Sequence, residues 1–190
     1  MASRNPEKPN ILFALTDDQG PWAMGCAGNP EIRTPTLNRL AAEGIRFENC
    51  FCTSPVCSPA RASIFTGRIP SQHGVHDFLH KCPATDEHRF LEGQPTYVEV
   101  LNEAGYETGF SGKWHLGYGL EPQKGFKTWN TMPYGGCDYF RPPIVVNGEV
   151  VVHEGAYTSD IFTDNAQRGP AYGENAFEIQ HPMQWDPDRL

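Results

Sequence analysis

Cys57, Pro59 and Arg61 stand at alternate positions in the run Pro55-Val56-Cys57-Ser58-Pro59-Ala60-Arg61-Ala62-Ser63-Ile64-Phe65-Thr66-Gly67. Their types and spacing suit nucleophilic chemistry on an anion. Ser58 is read as the cap of a helix and Pro59 as its first residue, where a missing N–H costs nothing. Cys57 then meets free backbone N–H groups at the positive end of the helix dipole, which favour an anion or a thiolate-like nucleophile. Arg61, one turn on, projects toward the same spot. Asp17 and Asp18 form a second constellation, because adjacent carboxylates beyond an apolar run offer clustered hard oxygens to a divalent cation. Lys113 and His115 form a third. The lysine is a compact positive charge for an anionic oxygen, and the imidazole can shuttle a proton near neutral pH.

The Cys-x-Pro-x-Arg pattern with Thr66-Gly67 resembles the modification and active-site motif of type I sulfatases, of the alkaline phosphatase superfamily. Asp17-Asp18-Gln19-Gly20 is similar to the first metal-binding motif of that family, and the stretch from Gly105 to His115 to its second motif. The resemblance runs over about residues 8 to 165. It implies an α/β fold, a mixed sheet flanked by helices, cut off before the C-terminal part. It also implies that a formylglycine-generating enzyme oxidises Cys57 to formylglycine. Asp17, Asp18 and the modified Cys57 would then hold Ca2+ (or Mg2+). The hydrated aldehyde attacks sulfur, Arg61 holds and activates the diol, Lys113 stabilises the developing charge, and His115 takes the proton whose removal expels sulfate. The substrate would be a sulfated small molecule or carbohydrate. Two other readings remain: an inactive truncated fragment or pseudoenzyme, and a phosphonate or phosphate monoester hydrolase of the same superfamily.

These residues need elements to position them. Asn10 to Thr16 reads as a buried parallel strand ending in a functional loop. Thr34-Pro35 opens a helix that Gly44 closes, Ile45 to Phe51 reads as a strand, and the Cys57 helix follows. Thr96 to Ala104 is an amphipathic helix stopped by Gly105, with Tyr106 to Phe110 as the strand after it. Residues 111 to 143 read as a long ordered loop. Asn147-Gly148 between valine runs signals a hairpin over Ile144 to Val152. A helix starts near Tyr157 with Ser159 as its cap and loses its period at Arg168-Gly169-Pro170. The alternation of strand and helix predicts an α/β sheet whose site gathers at the carboxyl ends of strands. The expected organisation is the N-terminal part of a catalytic domain over 8–167 and an irregular tail over 168–190, with no internal repeat.

Composition sets the outer bounds. The formal net charge of -8, with no basic cluster, argues against nucleic acid. No apolar stretch long enough for a signal core or a membrane span is present, so the expectation is a cytoplasmic chain with no membrane role. Cys26, Cys50, Cys52, Cys82 and Cys137 have no zinc spacing and are read as reduced and structural. His73, His76 and His80 are read as loop or surface residues, and His88, His153 and His181 carry no context. Trp22 and Met24 are read as site wall or core, and Asp164-Asn165, inside a predicted helix, as structural.

Overall fold

The computed structural model describes residues 8–80, 87–146, 148–168 and 175–182. Ile11–Asp17 form β1, which ends on the acidic pair as the apolar run predicts but lies at the edge of the sheet rather than buried, with Leu12 67% exposed. Pro35–Glu43 form α1, with the proline in the first turn. Cys57–Thr66 form α2, closed by Gly67 at φ 66°, whose N–H donates to the Ser63 carbonyl at 2.8 Å. The short α3, Pro70–His73, precedes α4, Tyr97–Glu103. At the start of α4 the Glu99 carboxylate accepts the N–H and the hydroxyl of Thr96 at 2.8 and 2.9 Å, one arm of a capping box. The remaining elements are β2 (Glu107–Lys113), β3 (Thr128–Met132), β4 (Pro143–Val146), β5 (Glu149–Val152), α5 (Thr158–Arg168) and β6 (Asn175–Pro182).

The six strands form one mixed sheet in the order β1-β6-β2-β3-β4-β5. The first four run parallel, and β4 and β5 add an antiparallel arm. Strand alternation then decides which layer each side chain meets. On β2, Phe110 enters a cluster with Phe65 and Ala62 of α2, Val98 of α4, Trp114, Phe126 and Trp129. Ser111, its neighbour, faces the other way and donates to the Phe162 carbonyl of α5 at 2.9 Å. A smaller cluster of Met132, Ile144 and Phe162 fills that second face. The architecture is therefore the expected α/β one, helices on both faces of a mixed sheet. Among the described residues no helix is long and apolar enough to cross a membrane.

Several local expectations fail for physical reasons. Residues 45–51 form no strand, and Ile45, Phe47 and Phe51 are 83%, 76% and 86% exposed. Among the described residues β1 pairs with β6 alone, from Ile11↔Ala176 to Asp17↔Pro182, and 45–51 does not join its outer edge although that edge has no other strand on it. That same pairing overturns the reading of 168–190 as wholly irregular: Asn175–Pro182 lies between β1 and β2. Its short alternation (Phe177, Ile179) sits among prolines that mask the strand signal. β3 interrupts the predicted loop of 111–143, because five residues with one aromatic offer no periodicity to read. The valine hairpin forms, with Val146 opposite Glu149 and Gly148 at φ 85°. Helix α5 begins at Thr158, one residue before the expected Ser159 cap. Cys82, Asn147, Gly169 and Pro170 lie outside the described residues.

The aromatic cluster around β2 sets the stability of the site's support. Phe110→Ala, at a fully buried position, is expected to cost about 3–5 kcal/mol. Val100→Ala on α4, 60% exposed, should stay within about 0.5 kcal/mol. Denaturant midpoints of the two variants check the contrast.

Candidate active site

Parallel strands deliver their last residues to one edge of the sheet, and here β1 delivers Asp17 while β2 delivers Lys113. Helix α2 completes the set. Its N-cap is Val56, at φ −127° and ψ 140°, and the Val56 carbonyl accepts the first helical bond from Ala60 at 2.9 Å. Cys57 is therefore the first helical residue, so Ser58 is not the cap and Pro59 is the third residue rather than the first. The correction leaves the proline harmless, because the third N–H of a helix has no internal partner either. It also leaves Cys57 at the positive end of the dipole.

Asp17 is the meeting point. Its Oδ2 accepts from Arg61 Nη2 at 2.7 Å and from Lys113 Nζ at 3.0 Å. Arg61 Nη1 also donates to the Lys113 carbonyl at 2.6 Å, which ties α2 to the end of β2. The other carboxylate oxygen, Oδ1, lies 3.9 Å from the Cys57 sulfur. The three charged side chains are only 3% (Arg61), 5% (Lys113) and 11% (Asp17) exposed. Burial disfavours the Asp17 charge, but the neighbouring Lys113 and Arg61 outweigh it and hold the carboxyl below its usual range. One carboxylate against two cations leaves the cluster one positive charge in excess, a field suited to an anion.

His115 is brought to the same end of β2. Its backbone sits at φ 53°, and Asp18, beyond β1, at φ 59°, so both strand ends hold non-glycine residues in the left-handed region. His115 Nε2 lies 3.3 Å from the Leu79 carbonyl, which can only accept, so Nε2 carries the proton. Nδ1 is then a bare lone pair, buried and, among the described residues, without a hydrogen-bond partner. The Phe78 ring meets the imidazole edge-on at 4.7 Å. Burial first, and then the charge of Lys113, push the imidazole down to about 4, so it is neutral at neutral pH. A neutral, walled imidazole with one open nitrogen is equipped to accept a proton.

Cys57, Arg61, Lys113 and Asp17 are thus gathered as the sequence reading expects, with His115 beside Lys113. Asp18 follows Asp17 but is exposed. Two adjacent carboxylates are hard donors of the kind calcium or magnesium takes, and Oδ1 of Asp17 is turned from the cations toward Cys57. In number they fall short. Among the described residues no group of three or more His, Cys, Asp or Glu side chains could hold a metal ion. His73 departs from its loop-or-surface reading. It is 4% exposed on α3, donates from Nε2 to Ser63 Oγ at 2.9 Å and accepts the Val75 N–H at Nδ1, 3.1 Å away. Trp22 is 72% exposed rather than a wall or core residue. Tyr139 escapes the sequence reading, yet burial and then the charges of Cys137, Asp17 and Asp18 push its phenol up to about 12. Its only signal is the aromatic content of the stretch around it. Leu79 contributes a carbonyl, which no sequence motif reveals.

A family model described as Sulfatase matches residues 9–184, past the expected boundary at 167. The N-acetylglucosamine-6-O-sulfatase of Bacteroides thetaiotaomicron is 37% identical over 169 residues, covering 85% of this chain and 28% of that protein. Human N-acetylgalactosamine-6-sulfatase is 40% identical over 140 residues, covering 70% of this chain and 27% of that protein. Among solved structures, BT4656 in complex with its substrate D-glucosamine-2-N,6-O-disulfate matches with a TM-score of 0.76 and 32% identity, over 91% of this chain and 34% of that one. Ps i-CgsB in complex with k-i-k-neocarrahexaose matches with a TM-score of 0.76 and 25% identity, over 95% and 46%. The chain spans about a quarter of the length of the curated relatives it matches.

Two expectations follow from the geometry. Asp17→Asn strands two buried cations, which should cost about 3–5 kcal/mol in chemical denaturation. His115 contributes a pH dependence: its folded pKa lies below the ordinary 6.5, so stability is intact above about 6.5 and falls as pH drops toward 4. Wild type should therefore lose on the order of 1–2 kcal/mol relative to His115→Gln between pH 7.5 and pH 5. Parallel denaturation curves for the two proteins at both pH values check this.

Proposed function

Because the chain belongs to the sulfatase family, we propose that it is the part of a sulfuric ester hydrolase that carries the nucleophile and its immediate partners. The observation that supports this most directly is the convergence of Arg61 and Lys113 on Asp17, with Cys57 beside them at a helix N-terminus. That arrangement combines a nucleophile position with a net positive, mostly buried field.

A formylglycine-generating enzyme is the partner this reading requires, converting Cys57 to an aldehyde whose hydrate supplies the attacking oxygen. A divalent cation, Ca2+ or Mg2+, held in part by Asp17, Asp18 and residue 57, would polarise the sulfate oxygens when bound. The rest falls to this chain's own side chains. Arg61 is anchored by Asp17 and the Lys113 carbonyl, so its guanidinium sets the position of the first turn of α2 relative to β2. Lys113 adds the charge that meets a sulfate oxygen as negative charge builds in the transition state. His115 receives at Nδ1 the proton released when sulfate departs, because Nε2 is already committed to Leu79. A thiol at position 57 has no second hydroxyl to give up that proton. Sulfated carbohydrate is the substrate class we favour, by likeness to the N-acetylglucosamine-6-O-sulfatase and to the structure holding D-glucosamine-2-N,6-O-disulfate.

Hydrolysis of a chromogenic aryl sulfate tests the reading. The protein co-expressed with the modifying enzyme should turn over, and Cys57→Ala should abolish turnover. Peptide mass spectrometry of the same sample should show the thiol of Cys57 lost. No turnover by a sample whose modification is confirmed would sink the proposal.

A further inference from the structure

Ser58 takes no part in capping α2, yet it is fully buried one residue from Cys57. A buried hydroxyl is costly unless it is bonded. Its Oγ accepts the backbone N–H of Leu79 at 3.4 Å. The carbonyl of the same residue accepts the Nε2–H of His115 at 3.3 Å. One residue of main chain therefore joins the first turn of the nucleophile helix to the imidazole. Phe78, the residue before, walls the ring edge-on at 4.7 Å, and Leu79 itself packs against the main core.

The consequence is chemical. The two neutral tautomers of an imidazole differ little in energy, so the partner of one nitrogen decides which is present. A carbonyl at Nε2 selects Nε2–H and leaves Nδ1 as the basic nitrogen. Where that carbonyl points depends on how the Leu79 main chain is held, and Ser58 holds it by its N–H.

We propose that Ser58 is a positioning residue for His115: through Leu79 it fixes the imidazole as the Nε2–H tautomer, with Nδ1 open to receive a proton. The inference rests on the reading of His115 as the base of the site. It assigns to Ser58 a role distinct from capping and from the nucleophile itself.

Nitrogen NMR of protein labelled at histidine with 15N tests it without turnover, the His115 signals being identified by their loss in His115→Gln. At neutral pH the wild-type ring should show a protonated Nε2 and an unprotonated Nδ1. Ser58→Ala should bring in the Nδ1–H tautomer, and Ser58→Thr, which keeps the hydroxyl, should restore the wild-type pattern. Turnover per mole of modified residue 57 should fall about tenfold in Ser58→Ala with KM little changed, part of the full effect of a general base. Normalising to modified sites separates this effect from any on the modification of the adjacent Cys57. If the alanine variant does not fold, Ser58→Cys, a weaker acceptor of similar size, should give an intermediate tautomer mixture. A wild-type ring in the Nδ1–H form overturns the proposal with no variant needed, as does an Ser58→Ala ring unchanged from wild type. Failure of the sulfatase reading would look different: no turnover, with the tautomer pattern intact.

Discussion

One carboxylate shared by two buried cations is the interaction on which this site depends. Arg61 and Lys113 both reach Oδ2 of Asp17, within 2.7 and 3.0 Å. Taking such charges from water is costly, and only close geometry with further hydrogen bonds offsets the cost. The second bond of Arg61, to the Lys113 carbonyl, supplies part of that compensation. Three elements distant in sequence are thereby held at one point: the end of β1, the first turns of α2 and the end of β2. The geometry leaves Oδ1 of Asp17 facing the Cys57 sulfur, so the contact that builds the site also orients it.

The ion cluster matters more because β1 has so little else around it. Ile11, Leu12 and Phe13 are 38%, 67% and 37% exposed, and no residue of α1 is buried. From α2 onward the chain is packed differently, with Phe65, Phe110, Trp114, Phe126 and Trp129 interlocked at ring separations of 4.9 to 6.2 Å. Asp17 stands at the seam between a thinly covered strand and a dense aromatic core. What joins the two sides there is one aromatic contact, Phe13 on Tyr97 at 6.5 Å, and otherwise polar groups: the ladder to β6, the Lys8 ammonium on the Ala104 carbonyl at 2.7 Å, and the Asp17 ion pairs.

How much of this could be read from sequence divides by the range of the interaction. Cys57, Arg61, Asp17, Lys113 and His115 were legible because each lies in a local motif whose residue types state its chemistry. β1, α1, α2, α4 and the valine hairpin were legible because their periodicity or turn residues are local too. Ser58 as cap failed by two positions, since the backbone of Val56 and not a side chain decides where the ladder begins. The strand expected over 45–51 and the one found over Asn175–Pro182 failed together. The strand over Asn175–Pro182 is placed by pairing with β1 and β2 from far along the chain, which local composition does not carry, and apolar composition alone did not make a strand of 45–51. The buried state of His73 was hidden likewise, its Ser63 partner lying on another helix. The Leu79 carbonyl had no sequence signal, because every residue has one.

His115 shows how a single field can serve two needs. The positive charges of Lys113 and Arg61 welcome an anion, and with burial they also keep the imidazole neutral, near a pKa of about 4. Before an anion enters, that suppression is useful: a protonated ring would have no open nitrogen. It would also weaken the base if it persisted. On the proposed reading, an anion seated against Lys113 would offset the same charges and raise the proton affinity of Nδ1. The contacts that hold Lys113 to Asp17 and His115 to Leu79 would then couple occupancy of the site to the strength of its base. Such a coupling would need no moving part, because it would be carried by charge among side chains that are themselves mostly buried, Lys113 at 5% and His115 at 4% exposed.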